Sequence, residues 1–221
     1  MLETDTSPDL PEIPGVRPAD QARSRALQER FVRAGREQLR EQRLAEISVP
    51  DLARRAKSSV GGFYSRFENK EAFFEFLRAR MLVENGKIHD ECLDPVRVGE
   101  MHMSEICVTF VDSMIRVFSG PWRGVLREAY ASIPEKQGSW VPMNARGQSL
   151  RARMTDLLLP HMADTPDAQD RIAFAVQALF GVLNNELMNP HLKFTTDDPL
   201  FRAYLVEAFC HTVGALPPKT S

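Results

Sequence analysis

Residues Ser48–Lys70 read SVPDLARRAKSSVGGFYSRFENK, and their pattern decides the fold. Val49, Leu52, Ala53 and Ala56 recur at helical spacing. After the polar joint Lys57-Ser58-Ser59, residues Val60, Phe63, Tyr64 and Phe67 do the same. Two short helices joined by a tight turn make a helix-turn-helix. Ser48 is placed to cap the first helix, with Asp51 closing a capping box. Pro50 falls in the first turn, where a missing N–H does no harm. Ser59 is placed to cap the second helix. Asn69 caps the next, with Glu71 on its positive end.

Working outward, Asp20 to about Glu41 reads as a helix whose Leu27, Phe31, Ala34, Gly35 and Leu39 share one face. That face is expected to pack on Val49, Leu52, Phe63 and Phe67, making a three-helix head over residues 17–70. Residues 1–16, with Pro8, Pro11 and Pro14 among acids, read as a disordered tail. The head carries 13 Lys/Arg against 7 Asp/Glu, a net +6; the tail and residues 71–221 each carry a net −4. A basic head on an acidic body fits a head that meets phosphate, although the net charge of the chain is only −2.

The remainder, 71–221, reads as helices throughout, for an all-α chain of about nine helices. Lys70 to about Asp90 carries an inward stripe of Phe74, Leu77, Met81 and Ile88, and belongs to both head and body. Further helices are expected at 100–119, 122–133, 143–162, where Pro160 kinks or frays the end, 167–188 and 200–216, with a loop over 134–142 holding Gly138 and Trp140. The 167–188 helix is apolar nearly all round, so it is buried on more than one side. No apolar run is long enough to span a membrane, and the N-terminus lacks a secretory pattern. Cys92, Cys107 and Cys210 read as free thiols of a cytoplasmic protein. No nucleophile triad, paired-carboxylate context or phosphate loop points to an enzyme. His89 with Cys92, and Cys210-His211, are too few clustered ligands for a metal site. No cofactor is expected.

The residues of the central stretch resemble the DNA-binding domain of the TetR family of transcriptional regulators. Ser48, Val49, Leu52, Ala53, Ala56, Ser59, Gly61, Phe63, Tyr64, Phe67, Lys70 and Glu71 match its pattern in one register. Lys57, Ser58, Gly62 and Arg66 depart from it, standing for the usual Gly, Val, Thr and His. Lys57 must then accept a left-handed backbone that Gly takes freely.

The resemblance implies a dimer on a palindromic double-stranded DNA operator, acting as a repressor released by a small effector. The second short helix, Val60 to Phe67, would enter the major groove. With Phe63 and Phe67 in the core, the DNA-binding residues are Ser48, Ser59, Val60, Gly61, Gly62, Tyr64, Ser65, Arg66 and Lys70. Tyr64 and Lys70 match the family's phosphate contacts. Arg66 suits either guanine O6/N7 or a phosphate, and Val60 a thymine methyl. The family's body holds a pocket, for which Phe110, Met114, Phe118, Trp122, Tyr130, Met154, Phe180 and Asn184 are the candidates, taking a largely hydrophobic effector. Its last two helices pair across a two-fold axis, here through Leu179, Leu183, Leu187, Phe201, Leu205 and Phe209. Two alternatives stay open: a dimer that no longer binds specific DNA, and a metal- or redox-responsive sensor.

Overall fold

The computed structural model describes residues 10–132, 141–189 and 191–216, and among these the regular structure is helical. The expected loop residues Gly138 and Trp140 lie outside the described residues. The helices gather into two compact units, Met1–Glu84 with Pro121–Pro134 and Asn85–Gly120 with Glu135–Ser221.

The first unit holds α1 (Ala22–Glu41), α2 (Val49–Arg55), α3 (Val60–Tyr64) and the first part of α4 (Lys70–Cys92). Its core is aromatic. The Phe31 and Phe63 rings meet edge-on with centroids 5.5 Å apart, and Phe67 lies 4.8 Å from Phe73. Phe31, Phe63 and Phe67 are fully buried. Burying rings of this size supplies most of the apolar area such a small helical head can hide. At the α1–α4 crossing a Cβ on Gly35 would sit 2.5 Å from the Phe73 ring, so glycine sets how closely these helices approach.

A further helix, α7 (Arg123–Ala131), belongs to this unit. It lies so close to the end of α1 that a Cβ on Gly124 would be 2.4 Å from the Leu39 carbonyl. Arg127 Nη2 donates to the Leu39 carbonyl at 2.8 Å, and Arg43 pairs with Glu128 at 2.6 Å.

Of the tail expected over residues 1–16, residues 1–9 lie outside the described residues, while Gly15 and Val16 are paired with the head. Gly15 adopts φ +76°, and the turn lays Val16 antiparallel to Phe67. The N–H of Glu68 donates to the Gly15 carbonyl at 2.8 Å and that of Arg17 to the Arg66 carbonyl at 2.9 Å. Backbone pairing, which composition does not report, holds this proline-rich segment.

The second unit holds the end of α4, a single turn α5 (Pro95–Val98), α6 (Met103–Ser119), α8 (Val141–Leu158), α9 (Ala168–Met188) and α10 (Pro199–Val213). After α8 the chain tightens into a 3-10 turn, Leu159–Met162, at Pro160. That proline cannot continue the α-helical bonding. The end of α10 is closed by Gly214 at φ +81°, with Ala215 N–H on the Cys210 carbonyl. Arg202 of α10 grips Asp112 of α6 through two bonds of 2.6 and 2.7 Å.

Candidate nucleic-acid interface

The helix-turn-helix is built locally. The Ser48 hydroxyl accepts from Asp51 N–H at 3.2 Å and donates to the Asp51 carboxylate at 2.7 Å. Arg54 bonds the same carboxylate, and it and Ser48 together hold Asp51 below the usual carboxylate range. The helix α2 ends with Lys57 in the left-handed region at φ +49°. Lys57 N–H reaches the Arg54 carbonyl, and Ser58 N–H the Ala53 carbonyl at 2.9 Å. These two bonds form a Schellman ending, which wants glycine at the Lys57 position. A lysine there is strained by roughly 1–2 kcal/mol, and the turn keeps its form because both carbonyls are satisfied.

Ser59 caps α3, its hydroxyl accepting from Gly62 N–H at 3.0 Å. The helix stops at Tyr64 rather than running to Phe67. Two glycines weaken it, and the Ser65 hydroxyl donates back to the Gly62 carbonyl at 2.8 Å. The departures at Ser58 and Gly62 are coupled in space: a Cβ on Gly62 would sit 2.3 Å from the Ser58 hydroxyl.

Phe63 and Phe67 point into the core, as their spacing predicts. The face left outward is Ser59, Val60, Gly61 and Tyr64, with Val60 40% and Tyr64 46% exposed. Around Gly61 a Cβ would meet only the Ser59 hydroxyl, so the backbone is bare to anything that approaches. Lys57 is exposed beside this face. Its place is legible in the sequence, as a cation in the turn that precedes α3. Gly62 and Ser65 are only partly exposed.

Lys70 does not present its charge to this surface. Its ammonium donates to the carbonyls of Leu44, Ala45 and Ile47 at 3.2, 3.4 and 2.8 Å. Three donors meet three acceptors, so the side chain closes the 3-10 turn Leu44–Glu46 between α1 and α2. Arg66 is also engaged, its Nε on the Ser65 carbonyl at 2.8 Å and its Nη1 on the Pro18 carbonyl at 3.0 Å.

The eight candidates for an effector pocket divide between the units. Phe110, Met114, Phe118, Met154, Phe180 and Asn184 belong to the second unit, where Phe118 meets Phe180 and Phe110 meets Phe209. The Oδ1 of Asn184 is buried there without a hydrogen-bond partner. Trp122 and Tyr130 belong to the first unit. The Trp122 ring is fixed under the Arg36 guanidinium at 4.5 Å, and its N–H donates to Glu84 at 2.8 Å.

The six residues expected at a dimer interface lie on α9 and α10. Leu179, Leu183, Leu187, Phe201, Leu205 and Phe209 are all buried within the single chain. The apolar side chains of α9 and α10 that remain outside are Phe174 at 63%, Val182, Met188, Leu200 and Tyr204 at 52% exposed. A helix apolar all round gives no preferred face, so periodicity could not separate the inner stripe from the outer one.

Cys107 and Cys210 are buried free thiols, and the Cys107 thiol is pushed up by its hydrogen bond with Cys210 and by burial. Among the described residues no three His, Cys, Asp or Glu side chains form a metal-binding group. Among the same residues no helix is long and apolar enough to cross a membrane.

Residues 31–77 match the family model described as bacterial regulatory proteins, tetR family. This span begins in α1, takes in the whole helix-turn-helix and ends in α4. Three solved structures share the fold. A TetR-family transcriptional regulator from Rhodococcus sp. is 15% identical, with a TM-score of 0.62 over 85% of this chain and 98% of that one. A TerR/AcrR-family transcriptional regulator from Aquifex aeolicus VF5 is 16% identical, with a TM-score of 0.59 over 82% of this chain and 96% of that one. The fatty acid degradation regulator FadR from Bacillus halodurans is 17% identical, with a TM-score of 0.57 over 87% and 97%. No curated protein matches the sequence. The head is therefore a TetR-type helix-turn-helix domain, and the chain has the fold of TetR-family transcriptional regulators. Those proteins are not enzymes.

Proposed function

We propose that the protein is a dimeric, cytoplasmic transcriptional repressor that binds a palindromic operator and is released by a small, largely hydrophobic effector. The observation that carries this reading is the outward face of α3. Its core residues are used up by packing, while Ser59, Val60, Gly61 and Tyr64 stand exposed beside Lys57 on the most basic part of the chain. Tyr64 and Lys57 supply phosphate contacts, and Ser59 and Val60 meet base edges. Bare backbone at Gly61 lets the helix approach closely. Ser48 and Lys70 act one step back, fixing the start of α2 and the turn before it.

The outer apolar stripe of Phe174, Val182, Leu200 and Tyr204 supplies the two-fold interface. Two such heads read two half-sites. The effector's place is the apolar interior of the second unit near Phe118, Phe180 and the unpartnered Asn184 acceptor. A ligand that binds better when the heads are mis-spaced lowers operator affinity by linkage. The chain offers two routes for that displacement. One is α4, whose residues run from one unit into the other. The other is α7, which packs on α1 and is joined through the chain to α6 and α8.

A gel shift on the DNA upstream of the protein's own coding sequence tests the reading with wild type and Val60→Glu. Val60 is exposed, so the variant folds. The wild type is expected to shift the fragment, and the variant to lose the shift by repelling phosphate. Equal binding by both overturns the assignment of α3.

A further inference from the structure

We propose that the N-terminal arm, Gly15–Pro18, is part of the DNA-reading apparatus, holding the Arg66 guanidinium in a fixed direction before DNA arrives; this rests on the DNA-binding reading above. The arm runs antiparallel to Arg66–Glu68, the residues that directly follow α3. Arg17 N–H donates to the Arg66 carbonyl at 2.9 Å, and Glu68 N–H to the Gly15 carbonyl at 2.8 Å. The Pro18 carbonyl then accepts from Arg66 Nη1 at 3.0 Å, while Arg66 Nε is held on the Ser65 carbonyl at 2.8 Å.

Two fixed points define the orientation of a planar guanidinium. Of its five N–H donors two are used, which leaves three for a guanine edge or a phosphate. A long side chain ordered in advance loses less freedom on binding, which corresponds to roughly 2- to 10-fold in affinity per side chain.

The attachment of the arm is specific to this stretch. Gly15 sits at φ +76°, where a Cβ would lie 2.9 Å from the Ala72 Cβ and 3.1 Å from Glu68 Oε2. Only glycine makes that turn without strain. Leu10–Ile13 and the arm itself line one cleft of about 610 Å³ together with Gln28, Phe76 and Arg80.

The test is a double-mutant cycle on the full-length dimer, using the DNA that wild type recovers from a random pool. Gly15→Val and a chain lacking residues 1–18 are each measured by fluorescence anisotropy, with and without Arg66→Ala, and thermal melts verify folding. With Arg66 present, both arm variants are expected to lose about 3- to 10-fold in affinity, and to relax preference at the base pairs that Arg66→Ala also relaxes. In the Arg66→Ala background the same arm changes are expected to have no effect. The same loss in both backgrounds, unchanged binding or tighter binding overturns the proposal. If only the truncated chain fails to fold, Gly15→Val decides. If wild type recovers no DNA, the DNA-binding reading itself fails and this proposal falls with it.

Discussion

Gly124→Ala sets a helix-propensity rule against a packing constraint, and the structure says which wins. Gly124 lies in the first turn of α7. Alanine favours a helix over glycine by up to about 1 kcal/mol, so propensity alone predicts a gain. The added Cβ, however, would lie 2.4 Å from both the carbon and the oxygen of the Leu39 carbonyl, and 2.5 Å from the Arg40 nitrogen. That is about 1 Å inside the ~3.5 Å of a comfortable carbon contact. The obstructing atoms are backbone of α1 and cannot rotate away. Helix α7 must retreat, stretching the Arg127–Leu39 bond of 2.8 Å and the Arg43–Glu128 pair of 2.6 Å.

Overpacking of this kind costs about 1–3 kcal/mol. Less the propensity gain, the net loss is about 0–2 kcal/mol, a drop of up to roughly 8 °C in Tm. Gly147→Ala in α8 is the control, because its Cβ would meet nothing within 4 Å. It should gain about 0.5–1 kcal/mol from propensity alone. Thermal melts of the two variants beside wild type give the answer. If Gly124→Ala melts above wild type, as Gly147→Ala should, the close approach of α7 to α1 is wrong.

Other expectations follow from single residues. Lys57→Gly relieves the left-handed lysine and should stabilise the protein by about 1 kcal/mol in urea denaturation, while lowering the salt dependence of DNA binding. Lys70→Met removes the ammonium from three carbonyls and should destabilise the head by about 2 kcal/mol, with the salt dependence of DNA binding unchanged because the charge does not face phosphate. His89 is buried, with Nδ1 3.1 Å from the Ser113 hydroxyl, which itself donates to the Phe110 carbonyl, so Nδ1 carries the proton. Burial first, then Arg146, lowers its pKa from 6.5 to about 4. The unfolded chain therefore takes up a proton that the folded chain refuses as pH falls from 6.5 towards 4, and about 2 kcal/mol of stability is lost by pH 5. Denaturation curves at pH 7 and pH 5 should lose that component in His89→Asn. For the interface, Phe174→Glu with Tyr204→Glu should give a folded monomer in sedimentation, whereas Leu205→Glu should unfold the chain.

The sequence spoke clearly where a local rule acts. Ser48, Ser59 and Asn69 cap the helices that follow them, Pro160 ends α8, and Phe63 and Phe67 lie inward. It was silent where the partner is distant along the chain. Nothing near Trp122 or Gly124 announces that α7 packs on α1, because the partners, Arg36 and Leu39, lie some 85 residues away. The pocket and interface candidates were hard to sort from sequence for a related reason. In α9 apolar residues stand on every side, so Leu183 and Phe174 look alike in sequence, though one is buried and the other open. The Gly15 turn was hidden by a composition that reads as disorder. Family resemblance placed Lys70 on phosphate, and only the geometry of the 44–47 turn assigns it to carbonyls.

In the proposed function a symmetric pair of these heads reads DNA through α3. Selection of bound DNA from a random pool by the purified full-length protein tests it most directly, because it reports binding, symmetry and spacing together. The expected product is a palindrome whose half-sites lie about 34–36 Å, or one helical turn, apart. Val60→Glu is expected to recover nothing. Recovery of no DNA, or of a single asymmetric site that Val60→Glu retains, contradicts that reading.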